Sequence, residues 1–202
     1  MQQMDLPSLF CWTRFGTEAG EPIGAILHRK ELERLANNGM FFWGVGNSVA
    51  PGMAALVEQA ATPEVLFSPI KSRPRAADVA PECVVRWREA TTIAGDRITL
   101  PDTVRVTSRA SRSHYALVCS STEPLEVGCL GRLRFNELRN LVSGQPLGSS
   151  QVTALVTHEH DAVADGEDGY LVALRAFLVE PYFVRLAAPC VEEPTRFEHR
   201  AA

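Results

Sequence analysis

The sequence predicts an α+β fold, a curved mixed sheet or small β-barrel with two to three flanking helices. Three observations carry this. Segments with strand character outnumber helical ones about three to one. Neighbouring strand segments are joined by short turns, as in hairpins, in a chain holding 13 prolines and 14 glycines. The regular strand–helix alternation of a doubly wound sheet is missing. The 202 residues, 46% hydrophobic and 22% charged, are enough to bury a core without disulfides or metals. No linker or internal repeat interrupts them, so residues 1–188 read as one domain and 189–202 as a C-terminal tail.

Each element has its own signal. Leu9 to Phe15 (LFCWTRF) reads as a first strand with Trp12 at its centre. After the turn TEAGEP, a helix runs to about Asn38 with Leu32, Leu35 and Ala36 on its packed face, and Gly39 ends it. Phe41, Phe42, Trp43 and Val45 suit a buried strand, with Phe42 on the face opposite Phe41 and Trp43. Asn47, Ser48 and Pro51 then open a short helix whose inner stripe is Met53, Leu56, Val57 and Ala60. Val65–Ile70 is the next strand.

Further on, Val84–Ala90 alternates Val85, Trp87 and Glu89 against Val84, Arg86 and Arg88, and the turn AGDR returns the chain into ITL as a hairpin. Val104–Ser108 and His114–Ser120 add two strands. Phe135, Leu138, Leu141 and Val142 are spaced as a second good helix, stopped by Gly144 and Pro146. Gln151–His158 and Tyr170–Val179 are expected to pair as an antiparallel hairpin across a polar loop, with Pro181 bending the chain after it.

Composition limits the setting. The five cysteines are odd in number and form no CxxC; Cys11 and Cys119 lie in strands and read as buried small hydrophobes. A reducing compartment follows. No apolar run approaches about 18 residues, and MQQMDLPSL lacks the regions of a signal peptide. The expectation is a cytoplasmic protein with no membrane partner. Net charge is −4, against bulk attraction to nucleic acid, but Lys71–Arg112 holds nine cations against five acids, and residues from Gln151 onward four against nine. The first stretch offers a positive face; the acidic C-terminal half offers a surface to a protein partner.

Three constellations bear on chemistry. Lys71, Arg73 and Arg75 alternate along an extended segment, and Arg109 and Arg112 follow in a Ser-rich loop. Cations at that spacing match a row of phosphates, although Pro69 and Pro74 fit equally an edge segment guarded by positive charge. Trp12, Phe41, Phe42, Trp43 and Trp87 form an aromatic set on which a base can stack, and which a core would also use. The turn Gly44–Ser48, opening a helix, can hold an anion, but Val49 stands where GxGxxG needs its last glycine. An ordinary strand–turn–helix connection explains that turn as well.

His158 and His160 in THEHD share a face at a metal-holding spacing, with His114 or Asp165 as a third ligand. Ala162 and Val163 replace the Asp and His of the HxHxDH motif, so no metal and no cofactor is expected. No GxSxG elbow or basic-turn cysteine points to a nucleophile. Ser149 and Ser150 read as turn residues, and Gln151 is placed to read a base edge.

The order of features resembles the PUA superfamily, particularly its EVE and YTH-type branch. Trp12 in FCWTRF, GMFFWGVG, and WREATTIAGDRITL carry the resemblance over about half the chain. The resemblance implies a small β-barrel whose aromatic pocket receives a modified base, ringed by basic residues. Trp12 and Trp43 are then the stacking residues, Asn47 and Ser48 the polar readers, and Lys71, Arg73, Arg109 and Arg112 the phosphate contacts. EVE-type domains run shorter, and Leu130–Ser150 adds a helix without counterpart.

The function expected is a nucleic-acid or nucleotide-binding module that recognises a base, modified or not, through an aromatic pocket and a basic rim. The alternatives are an enzyme acting on a nucleotide or nucleoside with phosphate at the Gly44–Ser48 turn, and a protein-interaction partner of a larger complex.

Overall fold

A computed structural model describes residues 5–16, 22–70, 83–107, 115–148, 151–158, 162–163, 169–187 and 190–192. In chain order the elements are β1 (Leu9–Phe15), α1 (Ile23–Ala36), β2 (Met40–Val45), a 3-10 turn (Asn47–Val49), α2 (Ala50–Gln59), β3 (Glu64–Pro69), β4 (Cys83–Thr92), β5 (Arg97–Thr107) and β6 (Tyr115–Ser120). There follow β7 (Gly131–Leu133), a second 3-10 turn (Phe135–Glu137), β8 (Arg139–Asn140), β9 (Thr153–Thr157), β10 (Tyr170–Val172), β11 (Leu174–Leu186) and β12 (Cys190–Glu192). None of the described helices is long and apolar enough to cross a membrane.

Ten strands form one mixed sheet whose main path is β12-β4-β11-β3-β1-β9-β8. β5 flanks β4, while β6 pairs β11 and carries β2. β1 and β3 are parallel, with Cys11 beside Val65, because α1, β2 and α2 make the crossover between them. β11 is the hub. Its first half pairs β3, its second half pairs β4, and β6 lies along it with a register shift between Leu178 and Phe183.

Four expectations are corrected here. Of the two sheet forms expected, the open mixed sheet is present and the closed barrel is not: among the described residues β12 and β8 end its path with no pairing between them. The hairpin expected of residues 151–158 and 170–179 does not form. β9 pairs β1, with Phe10 beside Val156, and β10 pairs β7 in a separate two-stranded ribbon. Alternation identifies a strand without identifying its neighbour, and β1, buried on both faces, takes β9. The bend expected at Pro181 is a register irregularity between Leu178 and Phe183 and not the end of a strand, since β11 continues to Leu186. The stretch read as a tail supplies β12, which pairs β4.

The helix expected over Phe135–Val142 is a 3-10 turn, the short strand β8 and a turn. Asn140 decides this: its side-chain oxygen accepts the Val142 and Ser143 N–H groups at 2.9 and 3.0 Å. Such an Asx turn competes with helix for the same donors. Gly144 closes the turn at φ +66 and donates to the Asn140 carbonyl.

α1 has the expected extent and the unexpected face. Ile26, Leu27, Lys30 and Glu33 point inward, and Leu32 and Leu35 are 55% and 63% exposed. The reason is tertiary. Among the described residues β2 pairs β6 alone, so its other edge carries no strand, and α1 covers it. Buried Glu33 accepts the Phe42 backbone N–H at 2.7 Å through one oxygen and the Lys30 ammonium at 2.6 Å through the other. A leucine facing that edge would leave the donor without a partner.

Three apolar clusters result. The largest lies between the sheet and its helices, with Cys11, Phe41, Trp43, Met53, Leu56, Phe67, Leu117 and Cys119. Phe10, Trp12, Leu66, Leu133, Leu138 and Val156 form the second. Phe42, Trp87, Leu100, Val118 and Val184 form the third, against the expected β4–β5 hairpin. Period-two alternation along β1 and β2 divides the aromatic residues among them. Gly52 lets α2 approach closely: an added Cβ would lie 2.6 Å from Val142 Cγ2 and 2.7 Å from Leu155 Cδ1.

Candidate functional site

The most distinctive arrangement of aromatic and cationic groups lies around the β1 face that carries Trp12. Residues two apart on a strand share a face, so Arg14 stands next to Trp12. The Trp12 ring is fully buried, and its indole N–H donates to Ser68 Oγ at 3.0 Å. Phe135, from the second 3-10 turn, meets Trp12 at 5.3 Å between ring centroids. Tyr170, opening β10, meets it edge-on at 5.8 Å and Phe135 at 4.7 Å. Phe135 and Tyr170 are half-buried, so the set has a closed floor and a partly open top.

Arg14 completes it. Its guanidinium carbon lies over the Tyr170 ring at 5.2 Å and over the Trp12 ring at 5.9 Å, within cation–π range. One terminal nitrogen donates to the Gln151 carbonyl at 3.5 Å. Pairing between β7 and β10 sets Leu133 beside Tyr170, which holds the half-open rings over the sheet. The flanking arginines are near in the chain: Arg132 donates to the Gly169 carbonyl at 3.2 Å, and Arg134 is exposed next to Phe135. Arg14 is the guanidinium shown against the rings.

Among the residues singled out from the sequence, Trp12 belongs to this set as its floor. Trp43 does not. It is 7% exposed in the helix-side cluster, where it meets Phe15 at 5.8 Å and Phe67 at 4.8 Å. The two tryptophans therefore do not line one pocket, and neither ring has an open face. Asn47 and Ser48 are exposed in the 3-10 turn before α2, with no side-chain cap on either helix start. Lys71, Arg73, Arg109 and Arg112 lie outside the described residues.

Arg14, Phe135 and Tyr170 were not singled out. The spacing of Trp12 and Arg14 was a readable signal for the first. No local signal exists for the other two, because pairing and turn geometry distant in sequence bring them in.

Other groups have structural explanations. His158 Nε2 lies 3.1 Å from the Pro7 carbonyl; no metal-holding group of three His, Cys, Asp or Glu occurs among the described residues, and His114, His160 and Asp165 lie outside them. Burial pushes the Cys11 and Cys119 thiols up, away from the thiolate a nucleophile needs. Glu31 is held below the usual carboxylate range, first by the Arg34 hydrogen bond and also by the Leu125 N–H, while burial opposes the shift. That pair ties α1 to the segment after β6, where Arg34 donates to the Ser121 carbonyl at 3.2 Å.

Comparison with family models, curated proteins and solved structures returns no match for this chain.

Proposed function

We propose that this protein is a nucleic-acid or nucleotide-binding module that receives a base on the half-exposed Phe135–Tyr170 surface and performs no chemistry on it. The observation that carries the reading is the Arg14 guanidinium lying over Tyr170 and Trp12, beside rings that retain open surface. A base stacked on an aromatic side chain gains roughly 1–3 kcal/mol, and arginine adds hydrogen bonds and charge. Trp12 acts as the rigid floor, held by Ser68. Phosphate contact falls to the neighbouring arginines, with Lys71, Arg73, Arg109 and Arg112 as a further basic rim. The PUA-like resemblance, with its base-receiving aromatic surface, belongs to the same reading, as does a cytoplasmic setting, supported by the free buried thiols of Cys11 and Cys119.

The test is a titration with short single- and double-stranded DNA and RNA at two salt concentrations, on the wild type and on Tyr170→Ala. Salt-sensitive binding is expected, weakened roughly 5- to 150-fold by the substitution. Absence of binding at low salt, or binding indifferent to Tyr170, overturns the proposal.

A further inference from the structure

We infer that a second copy of this chain pairs with residues 126–132, giving a two-fold dimer by strand addition at an open edge. Residues 126–130 lead into β7, and all of them are exposed. Gly128 donates its N–H to the Ala173 carbonyl at 3.0 Å, and Leu130 donates to the Val172 carbonyl at 2.9 Å. Successive residues of a strand turn their backbone groups to opposite sides, so Cys129, between those donors, presents its N–H and C=O away from them. On that outer side, cover among the described residues begins at Leu133, which bridges Val163, and at Arg134, which donates to the Ala162 carbonyl. The edge ahead of Leu133 is a row of backbone groups that another strand can extend.

The sequence of this edge selects its occupant. Residues 126–132 read EVGCLGR. When two copies pair antiparallel about Cys129, each residue meets the one equally far beyond the centre. Glu126 then stands opposite Arg132 of the second copy, and the two-fold axis repeats that pair. Val127 stands opposite Gly131 and Leu130 opposite Gly128, so each branched apolar side chain meets a residue that leaves it room. Val127 and Leu130 are 53% and 42% exposed, and pairing withdraws them from water. The charges are available: Glu126 has no ion pair among the described residues, and Arg132 gives one nitrogen to the Gly169 carbonyl and keeps other donors. A strand of unrelated sequence would gain the backbone bonds without these opposed pairs.

Cys129 on the axis makes the pairing readable. Opposite residues that exchange hydrogen bonds in an antiparallel pair have Cα atoms about 5.5 Å apart, within the span of a disulfide. Cys129 is exposed while Cys11 and Cys119 are buried. The thiols report the contact and do not cause it. The contact is small, so the dimer is a weak one that rising concentration populates.

The test uses the full chain without nucleic acid, so it is separate from the base-binding reading. Sedimentation velocity of the reduced protein over a range of concentrations reads the dimer. Oxidation by copper–phenanthroline in air, which takes up the two electrons the thiols lose, followed by peptide mapping, reads its centre. A concentration-dependent dimer is expected, with a Cys129–Cys129 crosslink that Cys129→Ser abolishes. Glu126→Arg and Arg132→Glu, each of which sets like charges opposite, are expected to weaken dimerisation about 5- to 30-fold, and the double variant to restore it. The wild-type crosslink stands even if a variant folds poorly. A monomer at every concentration, a dimer without that crosslink, or a double variant no tighter than the single ones overturns the inference.

Discussion

Glu33 and Phe42 are joined by a 2.7 Å hydrogen bond from the Phe42 backbone N–H to the Glu33 carboxylate, and this bond explains why α1 turns its leucines outward. The open edge of β2 calls for an acceptor. Glu33 supplies one and is neutralised in turn by Lys30, both residues being 6% exposed. Removing one partner of a buried pair strands the other charge and costs about 3–5 kcal/mol. Glu33→Ala is therefore expected to lose that much in urea-denaturation stability, since it removes the carboxylate partner of buried Lys30 and leaves the Phe42 N–H without its acceptor. A loss under about 1 kcal/mol, the scale of an exposed pair, would show that Glu33 does not hold the edge.

Gly52 sets how closely α2 packs on the sheet. Alanine there gains up to about 1 kcal/mol of helix propensity but drives a methyl into Val142 and Leu155. Val142 is 60% exposed and free to yield, whereas Leu155 is 2% exposed and confined. Overpacking of this kind costs about 1–3 kcal/mol. Gly52→Ala is expected to lower the melting temperature; an unchanged or raised value would mean that α2 shifts without strain.

Glu31 gives the fold a dependence on acid. Arg34 donates to its two oxygens at 2.8 and 2.7 Å, and the Leu125 N–H adds a third bond at 3.0 Å. The folded carboxyl titrates below its unfolded value of about 4.3, so its contribution is fully present above that pH and is lost as pH falls through the folded value. Glu31→Gln is expected to be less stable than wild type at neutral pH and to converge on it in acid. A constant difference across that range would separate Glu31 from the acid response.

Much of this architecture is written locally. β1, β2, β3 and the β4–β5 hairpin follow from alternation and turn residues, and Gly39, at φ +91, ends α1 where its sequence position indicates. What local pattern does not carry is which element meets which. The period of Leu32 and Leu35 marked a helix correctly, but the inward face was decided by a backbone donor on another element. Phe135 and Leu138 had helical spacing, yet Asn140 captured the N–H groups that a helix needed. The candidate site shares this property. Trp12 was visible from its strand, while Tyr170 reaches it only because β10 pairs β7 and not β9.

Photo-crosslinking tests the central claim most directly. The protein is irradiated with short-wavelength ultraviolet light in complex with a mixed-sequence single-stranded oligonucleotide, and crosslinked peptides are mapped by mass spectrometry. The account predicts adducts on the peptides carrying Phe135 and Tyr170, lost when excess unlabelled oligonucleotide competes. Adducts confined to other peptides, such as that carrying Asn47 and Ser48, would contradict it and move the base to the turn before α2.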